Sequence, residues 1–544
     1  MIPSHFMRID APPILPNGKL SRNDLPDPTV NATRAEYVAP RDDLERALCN
    51  AFAEVLGLQR VGVTEDFYEI GGDSLSSMQV LAIMRLDRLS ALDIFSGRTA
   101  ERVAAIYRSR VADEDSVSEA EKEMEARKHP QGVTPSQRNV IDIQLAFPRA
   151  PIWIYPFLFK FGPDADPGRV LDACRKVSVN HPIFSTVFGF DRDGELQQTY
   201  DPARRAEIEI EPMSEAELDA LRRDGFETFG LVGEPMVRIR VIKADSGTYV
   251  LIVFHHLVMD GTSMHIIFTS LSKAWLGQPL DLDTYYSYLE DQSRLKTTLA
   301  YQKAFDYYHK NYDGIDWCGN IAPDRHEKGN VNAGVTFRPE GMTLEALSAV
   351  AEKCGITRNG FMTAVSLLAL SKLSGKTDVI STFAFHDRTD ARKMRAGGFL
   401  AKTIPVGVRL GELETLADLY REVGRRASEG IANSAYNWDV ARQVQFVNDI
   451  MPVVYETSAI TDMSWLTDMG ATLDPINARH EAALMLTELQ ILETPTELTF
   501  NVFYMATAYS QGRIRAFTDA FCAVADRMID IKNPETVTLR ELLG

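Results

Sequence analysis

One apolar run restricts the folds open to this chain more than any other stretch. The segment TYVLIVFHHLVMDG opens with hydrophobic residues 249–254, which have the composition of a buried β-strand. Two titratable residues, His255 and His256, close that strand. Successive side chains of a strand point to opposite faces, so the two histidines are expected to have different tasks. This alternation, and the lack of other clustered ligands, argues against a joint metal site.

Strand and helix patterns alternate around this run over residues 132–544. The predicted strands are PIWIYPFLFKF, RAEIEIEP, PMVRIRVIKA, TYVLIVF, DVISTFAFH, IPVGVRL, MPVVYETS and ELTFNVFYMA. The predicted helices are GRVLDACRKVSVN, TSMHIIFTSLSKAWLG, TLEALSAVAEKCG and GRIRAFTDAFCAVADRMI. A segment of this length suits two α/β lobes of about 200 residues each. We place the N-lobe at residues 132–298 and the C-lobe at residues 299–544.

Residues 39–110 have the pattern of a small helical domain. The first helix lies in DDLERALCNAFAEVLGL, where apolar residues recur at helical spacing and Asp42 or Asp43 is the expected cap. A second helix is predicted to begin at Ser74, and AERVAAIYRSR forms a third. These helices predict a compact bundle of about 70 residues.

Two polar segments flank this bundle. Residues 1–38 are rich in proline and polar residues, contain LPNGKLSRNDL, and are too short to bury a core. Residues 111–131 are charged and lack aromatic side chains, which predicts a solvated linker or an exposed helix. A mobile tether there would hold the bundle near its neighbour at high effective concentration.

Composition excludes several kinds of protein. With 544 residues, the chain is expected to form two to four domains. Its 58 basic and 76 acidic residues give a net charge of −18, which disfavours binding to nucleic acid and to anionic membranes. The five cysteines include no C-x-x-C pair, which indicates reduced thiols in a cytosolic protein. No apolar run approaches the ~18 residues of a membrane span.

The stretch DFYEIGGDSLSSMQV contains a serine that has two possible roles. In one family of esterases a GDSL serine is a nucleophile, whereas in carrier proteins it anchors a prosthetic arm. Gly71 and Gly72 relieve crowding around Ser74, and Asp73 is a plausible helix cap. A group attached to Ser74 would lie at a helix N-terminus, which favours a phosphodiester anion.

An esterase nucleophile would also need a base. The chain contains the D-x-x-H sequence DYYH, from Asp306 to His309, within the helical pattern LAYQKAFDYYHKNY. We interpret this sequence as a helix surface, so anchoring is the preferred role of Ser74.

The surroundings of Ser74 resemble a known family. DFYEIGGDSLSSMQVL is similar to the core motif of peptidyl carrier domains in nonribosomal peptide synthetases, and RLDRLSALDIFSGRTAERVA resembles the rest of such a domain. The resemblance implies an all-α four-helix bundle, 4′-phosphopantetheine on Ser74, and a phosphopantetheinyl transferase as partner. LPNGKLSRNDL resembles the last motif of adenylation domains, in which Lys19 would contact substrate and nucleotide. Residues 1–38 are therefore expected to be the inactive end of an upstream adenylation domain.

HHLVMDG resembles the HHxxxDG motif of condensation domains. That family implies a two-lobed α/β fold like chloramphenicol acetyltransferase, with the motif histidine in a tunnel between the lobes. The implied catalytic residues are His255, His256, Asp260 and Gly261. His256 is expected to act as a base or to orient the amine. Asp260 is expected to hold the loop, and Gly261 to let the arm or backbone pass closely.

Further matches extend over the large domain, with departures. TPSQRNV, NHPIFSTVF, DTYYSYLEDQ, HDRT and GGFLAKTIPVGVRL are similar to other condensation motifs. Ser185 stands where the family often has an arginine that partners the motif aspartate, and Arg388 is our substitute partner for Asp260. Lys402 replaces the usual asparagine. A late HQDVPFE-like motif is not recognisable near residues 433–439. These departures suggest a divergent subtype.

Domain order implies a direction of transfer. Because the carrier precedes the condensation domain, Ser74 is expected to present the donor acyl group to an amine on a downstream carrier domain. One alternative is a terminal condensation-type domain that releases product by cyclisation or by transfer to a free amine. A second alternative is a GDSL esterase. A third is a catalytically silent recruitment platform of condensation fold, and the intact HHLVMDG motif argues against that third alternative.

Overall fold

The computed structural model describes residues 37–544 with interruptions. The residues left out of the description are 69, 71–73, 85, 87–88, 90–92, 95–96, 113–117, 147–151, 225–227, 330, 439–449, 458–462, 477–485 and 495. The expected adenylation remnant, with Lys19, and the expected cap Asp73 lie outside the described residues. Contacts divide the chain into two units, the first comprising residues 1–117 and 388–394 and the second the remainder.

The first unit is helical, as predicted. Its described helices are α1 (Asp43–Val55), α2 (Ser74–Met84) and α3 (Ala100–Ala112). Asp42 caps α1 by accepting a hydrogen bond from the backbone N–H of Glu45 at 3.0 Å, which agrees with the predicted cap. Apolar side chains from these helices and the intervening loop form one core, and they include Leu48, Phe52, Val63, Phe67, Leu89 and Val103.

The second unit begins with a helix that was expected to be solvated. Helix α4 (Glu119–Ala126) has a capping box between Ser118 and Glu121. Its Glu123 is fully buried and accepts hydrogen bonds from the backbone and the hydroxyl of Ser287, each at 2.8 Å. This part of the segment is therefore packed into the second unit, because a carboxylate on α4 satisfies free N–H groups at the start of a later helix.

The N-lobe is built on a five-stranded sheet in the order β12-β2-β7-β6-β5. Its strands are β2 (Ile154–Phe161), β5 (Ile210–Pro212), β6 (Val237–Ala244), β7 (Gly247–His255) and β12 (Ala471–Asp474). Its helices are α5 (Pro135–Ala146), α6 (Pro167–Asn180), α7 (Glu215–Asp224), α8 (Gly261–Trp275) and α9 (Tyr285–Leu295). A small sheet in the order β1-β4-β3 adjoins them, with strands β1 (Gln131–Gly132), β3 (Thr186–Phe190) and β4 (Leu196–Tyr200).

The C-lobe is built on a six-stranded sheet in the order β10-β9-β11-β13-β14-β8. Its strands are β8 (Asn332–Phe337), β9 (Asp378–Phe385), β10 (Lys402–Arg409), β11 (Pro452–Glu456), β13 (Thr487–Glu493) and β14 (Leu498–Met505). The remaining helices are α10 (Leu299–Tyr312), α11 (Leu344–Cys354), α12 (Arg358–Ser374), α13 (Leu416–Ala432), α14 (Ser464–Asp468), α15 (Gln511–Ile529) and α16 (Leu539–Leu543).

One segment of the expected C-lobe packs into the N-lobe. Strand β12 pairs with β2, and Trp465 on α14 packs against Phe159 and Phe268 with ring centroids 5.4 and 4.9 Å apart. The predicted boundary between the lobes after residue 298 is therefore too simple, because α14 and β12 pack with the N-lobe. The crossing segment supplies an edge strand and an aromatic side chain that the N-lobe core needs.

Candidate active site

The HHLVMDG segment lies where the central N-lobe strand ends and a helix begins. All nine residues of β7 are buried, and its ladder with β2 ends at the pair formed by Ile154 and His255. A short 3-10 turn, His256–Val258, follows, and Gly261 is the first residue of α8. The sequence thus places two histidines at the end of a rigid strand and an aspartate at the start of a helix.

His255 faces the protein interior. Its Nδ1 accepts a hydrogen bond from the backbone N–H of Leu257 at 3.1 Å, and its Nε2 lies 3.4 Å from the amide oxygen of Gln144. Since Nδ1 accepts, the proton of the neutral ring lies on Nε2. Burial, with a contribution from His256, lowers the pKa of His255 to about 3. This histidine is neutral and held by protein groups on both nitrogens.

His256 is the first residue of the 3-10 turn and has different neighbours from His255. Three aromatic rings surround its imidazole: Trp153 at 5.2 Å, Tyr155 at 5.5 Å and Phe399 at 4.8 Å between centroids. Burial lowers the pKa of His256, and the charge of Asp260 partly opposes that effect. The ring is therefore neutral near pH 7 and able to accept a proton.

The two nitrogens of His256 differ in their surroundings. Nδ1 is buried and has no hydrogen-bond partner in the part of the chain that the structure describes, while the side chain as a whole is only half-buried. The backbone groups of His256 and Met259 lie beside the ring and raise its pKa. Because Nδ1 is enclosed, Nε2 is the nitrogen that we assign as the proton acceptor.

Asp260 holds two distant parts of the second unit together. Its Oδ1 caps α8 by accepting from the backbone N–H of Ser263 at 2.8 Å. Its Oδ2 accepts from the backbone N–H groups of Leu400 and Ala401 at 2.9 and 3.0 Å. This geometry agrees with a holding role for Asp260. The assignment of Arg388 as its cationic partner stays a prediction.

A second buried carboxylate connects three of the sequence motifs. Asp283 pairs with the Nδ1 of His181 at 2.6 Å and accepts from the backbone N–H groups of Tyr285 and Gly397 at 2.9 and 3.1 Å. These residues belong to NHPIFSTVF, DTYYSYLEDQ and GGFLAKTIPVGVRL, but sequence reasoning did not single them out. The polar residues His181 and Asp283 of those motifs could have indicated this contact, because the three motifs meet at Asp283 in the fold.

Two of the departures from the family pattern, Ser185 and Lys402, differ in their surroundings. Ser185 is fully buried, and its hydroxyl oxygen has no hydrogen-bond partner within the described part of the chain. Lys402 pairs with Asp387 at 2.8 Å and donates to the carbonyl of Ser434 at 3.0 Å. Lys402 also lines a small cleft, together with Asn437 and other residues. The charge of Lys402 is thus balanced by the carboxylate of Asp387.

Ser74 is the first residue of α2, an 11-residue helix of the first unit. Gly71, Gly72 and Asp73 lie outside the described residues. A helix N-terminus offers free N–H groups and a favourable dipole to an anion. The position of Ser74 therefore fits a phosphodiester-linked prosthetic group.

The DYYH sequence lies within α10, where a helix surface was predicted. His309 pairs with Asp313 one turn further along, and Asp306 accepts from the amide of Gln302 at 2.9 Å. Both side chains are thus engaged along their own helix, as in an ordinary helix surface.

Two other kinds of feature are absent from the described residues. No group of three or more histidine, cysteine, aspartate or glutamate side chains there is arranged to hold a metal ion. No helix in the described ranges is long and apolar enough to cross a membrane.

All five cysteines are free thiols.

Two family models match the chain. Residues 128–538 match the condensation domain, and residues 46–106 match the phosphopantetheine attachment site. The second match indicates that the first unit carries covalently attached 4′-phosphopantetheine, as the sequence predicted.

The chain is similar to parts of much longer proteins. It is 26% identical over 546 residues to Surfactin synthase subunit 1 of Bacillus subtilis (strain 168), a match that covers 97% of this chain and 15% of that protein. It is 23% identical over 482 residues to Tyrocidine synthase 1 of Brevibacillus parabrevis, covering 82% of this chain and 42% of that protein. The chain spans 15% or less of the length of several of these relatives.

Solved structures share the fold of the second unit. The X-domain from teicoplanin biosynthesis has a TM-score of 0.62 at 16% identity and covers 75% of this chain and 96% of its own. The first condensation domain of the calcium-dependent antibiotic synthetase, in complex with a substrate analogue, has a TM-score of 0.58 at 15% identity, with coverages of 76% and 99%. The predicted two-lobed fold is confirmed. The chain therefore belongs to the condensation domain family and carries a phosphopantetheine attachment domain ahead of its condensation domain.

Proposed function

We propose that this chain forms amide bonds in nonribosomal peptide synthesis. In this proposal, Ser74 in a carrier domain at residues 39–110 anchors the donor acyl or peptidyl thioester. The condensation domain at residues 132–544 joins that acyl group to an amine. The observation that carries the proposal is the neutral imidazole of His256, half-buried among three aromatic rings.

The chemistry requires a proton acceptor at the site of attack. The pantetheine arm supplies the acyl group as a thioester, whose carbonyl carbon is open to an amine. As the C–N bond forms, the nitrogen loses a proton, and Nε2 of His256 is the group that takes it. The C–S bond breaks, and the same imidazole returns the proton to the departing sulfur. Holding both reactants side by side lowers the barrier further.

The other motif residues have supporting roles in this proposal. His255 positions the 3-10 turn through its hydrogen bond from Leu257, so it acts through His256 rather than on substrate. Asp260 fixes the start of α8 and raises the pKa of His256. Gly261 begins α8 and lets the arm or backbone pass closely. The contacts of His255 and Asp260 support their roles, whereas the role of Gly261 is the one that the resemblance to condensation domains implies.

The proposal names three partners and a compartment. A phosphopantetheinyl transferase attaches the arm, an upstream adenylation domain supplies the activated donor, and a downstream carrier domain brings the amine. The similarity to named peptide synthases supports this modular arrangement. We place the protein in the cytosol on the basis of its thiol content and composition.

Intact-mass measurement tests the anchor. Incubation of the full chain with a phosphopantetheinyl transferase and coenzyme A should add one arm, and Ser74→Ala should abolish the mass increase. A wild-type chain that gains no mass, or a Ser74→Ala variant that still gains it, would contradict the assignment.

Condensation kinetics test the chemical centre. His256→Ala should lower the rate of amide formation about 100- to 10,000-fold while leaving arm attachment intact. The matched control is His309→Ala, on the half-exposed surface of α10, which should keep wild-type activity. A His256→Ala variant that condenses at the wild-type rate excludes the proposed mechanism. A free amine consumed as readily as a carrier-bound one would indicate the terminal, product-releasing type of domain.

A further inference from the structure

Trp153 has a backbone conformation that bulky side chains rarely adopt. Its φ is +62°, in the left-handed region, directly before the first residue of β2. For an aromatic residue this conformation is strained, and such strain persists where the surrounding structure imposes it, commonly at active sites. The strain therefore directs attention to what Trp153 contacts.

Trp153 contacts His256 in two ways. Its carbonyl oxygen accepts a hydrogen bond from the backbone N–H of His256 at 2.7 Å. Its indole ring meets the imidazole of His256 edge to face, with centroids 5.2 Å apart and an interplanar angle of 81°. The left-handed turn thus brings both the main chain and the side chain of Trp153 against the proposed proton acceptor.

The indole N–H of Trp153 has no acceptor among the described residues. Trp153 is 5% exposed, and its Nε1 is buried without a hydrogen-bond partner in that part of the chain. In contrast, the Nε1 of Trp317 donates to the carbonyl of Tyr312 at 3.0 Å, and that of Trp438 donates to Asp313 at 3.2 Å. Buried N–H groups are almost always satisfied, so an orphaned donor beside a reactive imidazole suggests that a ligand supplies the acceptor.

We propose that the indole N–H of Trp153 donates a hydrogen bond to the carbonyl oxygen of the acyl thioester at His256. The proposal rests on the amide-forming function proposed above and adds a catalytic residue to it. The ligand atom is a carbonyl oxygen that gains negative charge as the amine attacks. An indole N–H donates only and does not give up its proton at neutral pH, so it stabilises that charge while His256 handles the proton.

Nuclear magnetic resonance of the indole groups tests the contact without turnover. The full chain has five tryptophans, and Trp153→Phe identifies the Nε1–H signal of Trp153 by its loss. The probe is S-acetyl-N-acetylcysteamine, a small thioester, and the control is the free thiol N-acetylcysteamine, which lacks the acyl carbonyl. The Trp153 signal should move downfield with the thioester and stay in place with the thiol. The signals of Trp317 and Trp438 should not move.

Two outcomes of that experiment overturn the inference. A Trp153 signal that the thioester leaves unmoved shows that its N–H does not bind the acyl group. An equal shift with the thiol shows that the contact does not require the thioester carbonyl. If the signal moves only with the thioester but the wild-type chain forms no amide, the contact stands and the proposed function fails.

Kinetics of an isosteric variant supply a second test. Trp153→3-benzothienylalanine keeps the shape of the ring and replaces the N–H by sulfur, so it separates the donor from the packing that Trp153→Phe also disturbs. We expect kcat to fall roughly 100-fold, as for loss of one oxyanion donor, with KM little changed. A kcat within about twofold of wild type overturns the proposal, since a donor to the reacting oxygen must affect the transition state.

Discussion

The carboxylate of Asp260 accepts a hydrogen bond from the backbone N–H of Leu400 at 2.9 Å, 140 residues further along the chain. Through this contact the start of α8 and the loop that follows Phe399 are held to one another. Both sides of this hydrogen bond affect His256: the charge of Asp260 raises the pKa of the imidazole, and the ring of Phe399 lies 4.8 Å from it between centroids. One side chain therefore contributes both to the pKa of His256 and to the position of the loop beside it.

Asp260→Asn should remove the charge beside His256 and weaken the hydrogen bonds to the loop, and the two effects can be measured separately. The negative charge of Asp260 raises the pKa of His256, so its removal should lower that pKa further and move the acidic limb of the kcat/KM profile to lower pH. The amides of Leu400 and Ala401 would lose a charged acceptor, at a cost of about 1–3 kcal/mol of stability. The measurements are a pH–rate profile and urea denaturation. Asp281→Asn, at an exposed pair with Lys273, is the control, and an unmoved acidic limb would contradict the assignment.

His255→Asn should make the protein less sensitive to acid. The folded-state pKa of His255, about 3, lies below its ordinary value of 6.5, so the unfolded chain binds a proton between these values and the folded protein does not. Stability from this residue is therefore present above pH 6.5 and is lost as pH falls towards 3. Asparagine can still accept from the N–H of Leu257 but does not titrate. Urea midpoints at pH 5 and pH 7.5 should differ less in the variant, and equal differences would refute the expectation.

Glu488→Gln should change the pH dependence in the opposite direction. Burial, with a contribution from the charge of Glu456, raises the pKa of Glu488 from 4.5 to about 7. The folded protein holds this proton more tightly than the unfolded chain, so stability is greatest below pH 4.5 and falls as pH rises through 7. The variant should be more stable than wild type at pH 8, by at most a few kcal/mol. Equal stabilities at pH 8 would argue against a raised pKa for Glu488, with exposed Glu497→Gln as the control.

The sequence predicted those strands and helices in which apolar residues form a clear run or recur with a clear period. Strand β7 and helix α8 were placed from an apolar run and a capped amphipathic segment, and they are present close to those bounds. Helix α12 was missed, because it is buried on nearly all sides and shows no amphipathic period. Of the strand RAEIEIEP, only Ile210–Pro212 forms. Glu123 was taken for a solvated charge because its partner, Ser287, lies 164 residues away.

The candidate site was predictable to the extent that it lies in one stretch of sequence. His256 and Asp260 were found because a motif and a strand end coincide there. Trp153 and Phe399 were not found, because they reach His256 from the turn before β2 and from a loop distant in sequence. Local periodicity carries no information about such contacts, which depend on the register between β2 and β7.

The close packing of Gly398 and Tyr285 leaves no room for a side chain. A Cβ atom on Gly398 would lie 2.1 Å from Cε2 of Tyr285. The tyrosine ring is fully buried, and its hydroxyl is held by Gln137 and Gln198, each at 3.1 Å. Neither partner can move away cheaply, so the glycine allows the loop to approach Tyr285.

Gly398→Ala should therefore destabilise the second unit and disturb its site. We expect a loss of about 1–3 kcal/mol, as for other overpacked cores, together with slower condensation because the neighbouring Leu400 amide shifts relative to Asp260. Gly424→Ala is the matched control: it lies within α13, where an added methyl group would have no atom within 4 Å, and it should add about 0.5–1 kcal/mol through helix propensity. Urea denaturation and condensation rates measure both effects. If Gly398→Ala were as stable and as active as Gly424→Ala, the close approach of this loop to Tyr285 would not be needed for the fold or for the site.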